Sequence, residues 1–177
     1  MNYAKIKYCD IANGPGVRTS LFVSGCTRHC EDCFNPEAWS FDYGNEFTDE
    51  TALLVMESIR SDHIAGLTIL GGEPFEPENR KEIYKFLLLI RNIYIDTKSI
   101  WMYTGYTWEE LIKQPLSYEI LKLVNVIVDG PFDKNKKDLL LRFRGSSNQR
   151  IIDVRKSITE KRTILWKDDS IFEKHEW

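Results

Sequence analysis

Three of the four cysteines in this sequence lie in one short stretch, at Cys26, Cys30 and Cys33, with the spacing C-x3-C-x2-C. An odd number of clustered thiols argues against a disulfide pair, and a metal centre is the usual reason for thiolates to converge. Iron–sulfur clusters are normally held by four cysteine thiolates. Three ligands on a four-iron cluster would leave one iron without a protein ligand, and an open metal position is a place for chemistry.

A structural zinc site is the alternative for the same residues, with His29 or Cys9 as the fourth ligand. Zinc sites usually pair two short ligand motifs that lie far apart in sequence. Because this sequence has one cysteine cluster and no second motif of that kind, the spacing favours the iron–sulfur cluster.

The elements that must position these cysteines are predicted from periodicity. Apolar and β-branched runs followed by glycine or proline predict strands at residues 17–24, 66–70, 98–103, 125–128 and 151–154, and a loose alternation over residues 3–8 predicts a first strand or an extended lead-in. Helices are predicted from Thr48 to Ser61, from Pro77, from Thr107 and over residues 116–124. Alternating strands and helices predict an α/β domain with a largely parallel sheet.

Two of these helices carry apolar residues at helical spacing, which predicts the faces that they bury. The expected faces are Leu53, Leu54, Met56 and Ile59 in the first helix, and Ile83, Phe86, Leu87, Ile90 and Ile93 in the second. Thr48 and the Thr107–Glu110 pair are expected to cap the helices that they open.

Four unusual loops follow predicted strands at their carboxyl ends. They are the cysteine loop, the run Gly71, Gly72, Glu73 and Pro74, the run Tyr103, Thr104 and Gly105, and the run Asp129, Gly130 and Pro131. Ligands of parallel sheets bind at that edge. Two adjacent glycines without Cβ atoms also allow the backbone to approach a ligand closely. We therefore expect one site there, although each loop taken alone is an ordinary strand-to-helix turn.

Composition limits the classes of partner. The 177 residues are 42% hydrophobic and 29% charged, which suits one domain with a buried core. The net charge of −3 gives no general attraction to nucleic acid. The longest apolar run, residues 86–90, is too short to span a membrane, and no secretory signal is visible, so we expect a cytoplasmic protein without a membrane partner.

The cysteine motif, followed by the Gly-Gly-Glu-Pro run, resembles the radical S-adenosylmethionine superfamily. The resemblance implies a partial (β/α) barrel as a single domain over residues 1–177, with its core at about residues 3–155 and a polar tail from about Lys167. It also implies a 4Fe-4S cluster on Cys26, Cys30 and Cys33, with S-adenosylmethionine chelating the open iron. The residues that would bind its methionine end are Gly71, Gly72, Glu73 and Pro74.

Further segments narrow the resemblance. Residues 13–19 resemble the glycyl-radical activating enzymes, and residues 33–39, 104–106, 128–132 and 142–150 resemble the branch that activates anaerobic ribonucleoside-triphosphate reductase. This branch implies an enzyme that passes one electron from the cluster to the sulfonium, producing a 5′-deoxyadenosyl radical. That radical takes a hydrogen atom from a backbone glycine of the reductase large subunit. A reduced flavodoxin-type protein is the implied electron donor.

Three alternatives to this function remain at this point. Two are other small radical enzymes, a pyruvate formate-lyase activase or a carboxy-deazaguanine synthase. The third, from a different class, is a zinc-bound interaction module.

The resemblance also implies an adenosyl pocket. Many superfamily members place an aromatic residue before the third cysteine, whereas this sequence has Asp32 there and Phe34 just after it, so we expect Phe34 to pack on the adenine. Tyr103 and Thr104 are expected to line the pocket. Asp129 is expected either to meet the ribose or to cap a helix.

Basic residues in two places have open roles. Arg18 is expected to pair with a carboxylate or with the partner protein. The basic stretch between residues 134 and 150 is either a docking patch or a solvated face.

Overall fold

The computed structural model describes residues 1–168, and its sheet has seven strands in the order β3-β1-β2-β4-β5-β6-β7. The strands are β1 Asn2–Asp10, β2 Val17–Val23, β3 Asn45–Glu46, β4 Ile64–Gly71, β5 Ser99–Tyr103, β6 Val126–Asp129 and β7 Arg150–Asp153. The four central strands, β2, β4, β5 and β6, run parallel, and β1, β3 and β7 add to them in antiparallel fashion. The predicted α/β fold with a largely parallel sheet is confirmed, and the open sheet is compatible with a partial barrel.

Five α-helices accompany the sheet in the described part of the chain. They are α1 Asp49–Ser58, α2 Pro77–Tyr94, α3 Trp108–Leu111, α4 Pro115–Lys122 and α5 Val154–Glu160. Thr48 accepts a hydrogen bond from the Thr51 N–H at the start of α1, and Thr107 and Glu110 form the expected capping box at α3. None of the helices within residues 1–168 is long and apolar enough to cross a membrane.

The predicted apolar faces are only partly correct. Leu53 and Leu54, which we expected on the buried face of α1, are 64% and 61% exposed, whereas Ala52, Val55 and Met56 are buried. Ala52, Val55, Met56 and Ile59 lie at i, i+3, i+4 and i+7, so they form the buried face of the helix. Because alanine is a weak hydrophobic signal, the sequence pattern placed this face at the two leucines instead. In α2 the expected face is buried except for Ile93, which is 62% exposed.

Two elements were not predicted. β3 consists of two polar residues, and it forms because Asn2 and Tyr3 of β1 pair with it. The chain turns into α5 after Asp153, whose side chain accepts a hydrogen bond from the Lys156 N–H and so caps the helix. The polar tail that was expected from about Lys167 lies almost wholly outside the described residues.

The two faces of the sheet bury different side chains. One face packs against the helices through the main core, which includes Leu21, Leu67, Ile69, Ile100 and Met102. On the other face, Trp101 packs edge-on against Phe143 and Trp166, whose ring centroids lie 5.6 and 5.0 Å from its own. The segment after α5 therefore returns to cover the inner face of the sheet.

Arg18 lies on the inner face and is fully buried. Its Nε donates to Thr68 Oγ1 at 2.7 Å, and one Nη donates to Ser99 Oγ at 2.8 Å. The expectation that Arg18 pairs directly with a carboxylate or with a partner protein is wrong, because its donors are used by hydroxyl and carbonyl groups inside the sheet.

Candidate functional site

A cavity of about 430 Å³ lies at the carboxyl ends of the parallel strands, where the four loops meet. Its volume falls in the range of roughly 300–1,000 Å³ that is typical of small-molecule sites. The predicted site residues that line it are Cys26, Cys30, Cys33, Phe34, Gly71, Gly72, Glu73, Tyr103 and Thr104. Pro74 and Asp129 are not among the lining residues.

The glycine pair is joined to the start of the cysteine loop by main-chain hydrogen bonds. The Gly72 N–H donates to Val23 O at 2.7 Å, and the Glu73 N–H donates to Gly25 O at 2.8 Å. A Cβ at Gly72 would lie only 2.5 Å from Gly25 O, so no other residue fits without a backbone shift. The two sequence motifs therefore form one continuous structure.

The other side of the cysteine loop is held in the same way. The Gly25 N–H donates to Ala38 O at 2.8 Å, and the Cys26 N–H donates to Trp39 O at 3.0 Å. His29 stacks on Trp39 with ring centroids 4.4 Å apart. Main-chain pairing thus fixes Cys26 at the wall of the cavity, and its burial raises the pKa of the Cys26 thiol.

Sequence reasoning missed two residues at the start of α2. Glu76 is 2% exposed, and its Oε1 accepts from the Thr27 N–H at 2.8 Å and from Thr27 Oγ1 at 2.7 Å. Asn79 is also buried, and its amide donates to Ser24 O at 2.9 Å and to Glu73 O at 3.0 Å. Two polar residues spaced by three at the start of an amphipathic helix were the available signal.

Glu73 joins the glycine pair to the loop after β5. Its carboxylate accepts from the Phe75 N–H at 2.9 Å, Thr104 Oγ1 at 2.8 Å and the Gly105 N–H at 2.7 Å. Burial raises the pKa of the Glu73 carboxyl to about 7, although these hydrogen bonds and the charge of Arg28 act in the opposite direction. The carboxylate is thus already satisfied by the protein, and its contact with a methionine amino group stays a prediction.

Arg28, between the first two cysteines, connects their loop to α3. Its guanidinium lies over the Tyr106 ring at 4.2 Å and 3.7 Å from the Glu110 carboxylate. Its Nε is buried without a hydrogen-bond partner among the described residues. Trp39 Nε1 and Tyr103 Oη share this property, and all three residues line the cavity.

These features fit a polar cofactor bound beside an iron–sulfur cluster. Cys26, Cys30 and Cys33 carry free, partly exposed thiols and line one cavity, so each is available to bind a different iron of one cluster. Arg28, Trp39 and Tyr103 line the same cavity and carry buried donors without partners among the described residues, whereas buried donors are normally hydrogen-bonded. Among residues 1–168, no group of three or more His, Cys, Asp or Glu side chains is close enough together to hold a single metal ion.

Phe34 and Asp129 differ in burial and in partners. The Phe34 side chain is 99% exposed at the cavity mouth, and its packing on an adenine stays a prediction. Asp129 is buried, and its carboxylate accepts from the Trp108 N–H at 2.7 Å and from Arg150 Nε at 3.0 Å. These contacts match the helix-cap alternative for Asp129, and its contact with a ribose stays a prediction.

Comparison with known proteins defines the class first. Residues 12–152 match a family described as a 4Fe-4S single cluster domain. This match decides against the zinc-bound interaction module as the role of the cysteine motif.

Relatives then define the family. The chain is 42% identical over 151 residues to the anaerobic ribonucleoside-triphosphate reductase-activating protein of Enterobacteria phage T4, covering 85% of this chain and 93% of the relative. Proteins with the same name from Pasteurella multocida and Escherichia coli K12 are 39% and 38% identical, over 84% of this chain and 95% and 96% of their own lengths. The chain belongs to the family of anaerobic ribonucleoside-triphosphate reductase-activating proteins.

Proposed function

We propose that this chain is the radical S-adenosylmethionine enzyme that activates an anaerobic ribonucleoside-triphosphate reductase. The observation that carries the proposal is the single cavity that three cysteines and the glycine pair line together. The family assignment supports the 4Fe-4S cluster and the reductase as the target.

Bound cofactors supply the difficult chemistry. Cys26, Cys30 and Cys33 would hold the cluster, which would supply the one-electron reduction of S-adenosylmethionine and so the radical chemistry that acts on a glycine of the reductase. A reduced flavodoxin-type protein is the proposed source of that electron.

The residues of this chain bind and orient the cofactor. Gly71 and Gly72 allow main-chain groups to approach the methionine end, and Glu73 holds their loop against Thr104 and Gly105. Pro74 keeps the loop rigid before α2.

Three buried donors are available for the rest of the molecule. Arg28, Trp39 and Tyr103 line the cavity and each have a buried N–H or O–H group without a partner among the described residues, and we assign the three residues as a set to the carboxylate, ribose and adenine groups. Thr104 is also a lining residue, but its hydroxyl already donates to Glu73. Phe34 at the cavity mouth would pack on the adenine, whereas the Asp129 carboxylate already accepts from the Trp108 N–H and from Arg150.

An anaerobic purification tests the proposal. We expect a brown protein with about four irons per chain that cleaves S-adenosylmethionine when reduced. Mixing it with the reductase should then produce the glycyl doublet in electron paramagnetic resonance. A colourless protein with one zinc would refute the cluster, whereas cleavage without a glycyl doublet would refute the target. Replacing dithionite with a reduced flavodoxin tests the donor separately.

A further inference from the structure

The three most exposed large hydrophobic side chains in the described part of the chain are Phe34, Leu139 and Leu140. They are 99%, 89% and 91% exposed. Single exposed hydrophobic residues are normal, but a cluster of them marks an interaction site. Phe34 and Leu139 both line the mouth of the cofactor cavity, and Leu140 follows directly. We call these three residues the rim.

The leucine side of the rim is held in place by a hydrogen bond and an ion pair. Phe34 follows the cluster ligand Cys33, whereas the two leucines lie in the segment between β6 and β7. Within that segment the Leu140 N–H donates to Asp138 Oδ1 at 2.8 Å, which fixes the turn. An ion pair between Lys134 and Glu31 joins the segment to the cysteine loop.

The segment that carries the leucines is basic. Residues 133–144 contain five basic and two acidic side chains, a local net charge of +3 in a chain whose net charge is −3. Lys134, Lys136 and Arg142 form ion pairs with Glu31, Asp133 and Asp168, while Lys137 and Arg144 line the cavity. An apolar rim with basic neighbours is complementary to a partner segment that combines apolar and acidic residues.

We propose that the rim binds the extended segment of the reductase that carries the reacting glycine. This inference rests on the proposed function. Transfer of a hydrogen atom requires contact, so the glycine Cα must enter the cavity and its neighbours in sequence must cross the mouth. The residues that flank the glycine would therefore contact the rim at the cavity mouth. A glycine suits the entry because it lacks a Cβ, and the apolar residues beside it would cover Phe34, Leu139 and Leu140.

The test separates docking from cofactor chemistry by means of the variant Leu140→Ser in the cluster-loaded enzyme, because Leu140 belongs to the rim but does not line the cavity. We expect cleavage of S-adenosylmethionine without reductase to be unchanged. The reductase concentration needed for half-maximal glycyl radical formation should rise about tenfold, the effect of a loss of roughly 1.4 kcal/mol in binding. The matched control is Leu54→Ser, which removes an exposed leucine from α1 and should change neither quantity.

Each outcome is decisive. If the rim variant activates the reductase with the same concentration dependence as the α1 control, the inference is wrong. Equal loss of cleavage without reductase would place Leu140 in the cofactor site and also overturn it. A dimer of the wild-type chain that the rim variant abolishes, with unchanged activation, would make a second copy the occupant. Failure of the wild type itself to cleave S-adenosylmethionine would instead refute the proposed function.

Discussion

The two ends of the parallel strands differ in whether their buried polar groups have hydrogen-bond partners. At the amino end, Arg18 uses its donors on Thr68, Ser99 and the carbonyl of Leu67, all within the protein. Its guanidinium also lies 5.7 Å from the centre of the Trp101 ring. This end is complete without any other molecule, as expected of the end of a barrel that supports stability.

The carboxyl end leaves polar groups without partners. Five buried side-chain atoms in the described residues lack a hydrogen bond, and they belong to Ser24, Arg28, Trp39, Tyr103 and Asn148. Arg28, Trp39 and Tyr103 line the cavity, Ser24 directly follows β2, and Asn148 lies in the segment before β7. Because an unpaired buried donor costs free energy, this end is less stable alone and is suited to binding a polar ligand. The difference teaches that substitutions at the two ends should have separable effects.

The largest effect is expected from Cys30→Ala at the carboxyl end. Loss of one thiolate removes a cluster ligand, so iron content and cleavage of S-adenosylmethionine should both fall to background. The matched control is Cys9→Ser, since Cys9 is the one cysteine outside the motif and is exposed on β1. Retained cleavage in Cys30→Ala, measured as methionine release under anaerobic conditions, would contradict the ligand assignment.

Arg18→Met should have the opposite profile. It removes the charge but keeps much of the side-chain length, so Thr68 Oγ1, Ser99 Oγ and three backbone carbonyls lose their buried donor, and we expect a loss of about 3–5 kcal/mol of unfolding free energy. Urea unfolding of the cluster-free protein measures this loss. An Arg18→Met variant that keeps full stability but loses the cluster would contradict the expectation that substitutions at the two ends have separable effects.

The pH dependence of stability tests Glu73. Its pKa in the folded protein is about 7, above the ordinary 4.5, so the folded state holds a proton that the unfolded state releases between these values. The free energy of unfolding should therefore fall as pH rises through this window, by up to about 3 kcal/mol.

Glu73→Gln removes this titration and should flatten the dependence. Urea unfolding of both proteins at about pH 5 and about pH 8 makes the comparison. Parallel pH profiles for the wild type and the variant would show that Glu73 does not titrate in this range.

A smaller and more local effect is expected from Glu76→Ala. It removes the acceptor of both Thr27 hydrogen bonds, worth about 1–3 kcal/mol, and should loosen the cysteine loop without unfolding the chain. The rate of iron loss to a chelator should rise several-fold. Glu78→Ala is the control, because Glu78 lies on the same helix and is exposed. Equal rates of iron loss in the two variants would show that Glu76 does not hold the cysteine loop in place.

The parts of the fold that follow local rules were predicted from the sequence. The parallel strands and the glycine-rich loops after them were predictable, because β-branched runs followed by glycine mark strand ends. The capping residues of α1 and α3 were predictable for the same local reason.

The remaining features depend on contacts between residues far apart in the chain. Glu76 meets Thr27 across 49 positions, and Arg18 meets Ser99 across 81, so neither role is visible in a local pattern. Phe34 was assigned to the adenine from its position beside Cys33, but its exposure depends on how the loop leaves the cavity. Leu53 and Leu54 were misplaced because hydrophobicity alone ranked them above Ala52.

The contacts among Trp101, Phe143 and Trp166 allow tryptophan fluorescence to report on the segment that carries Leu139 and Leu140. Phe143 belongs to the same loop as Leu139 and Leu140, and it touches both Trp101 and Trp166. Any displacement of that loop when a partner docks would alter the surroundings of two indoles. Intrinsic tryptophan fluorescence can therefore follow docking in real time, without an attached dye.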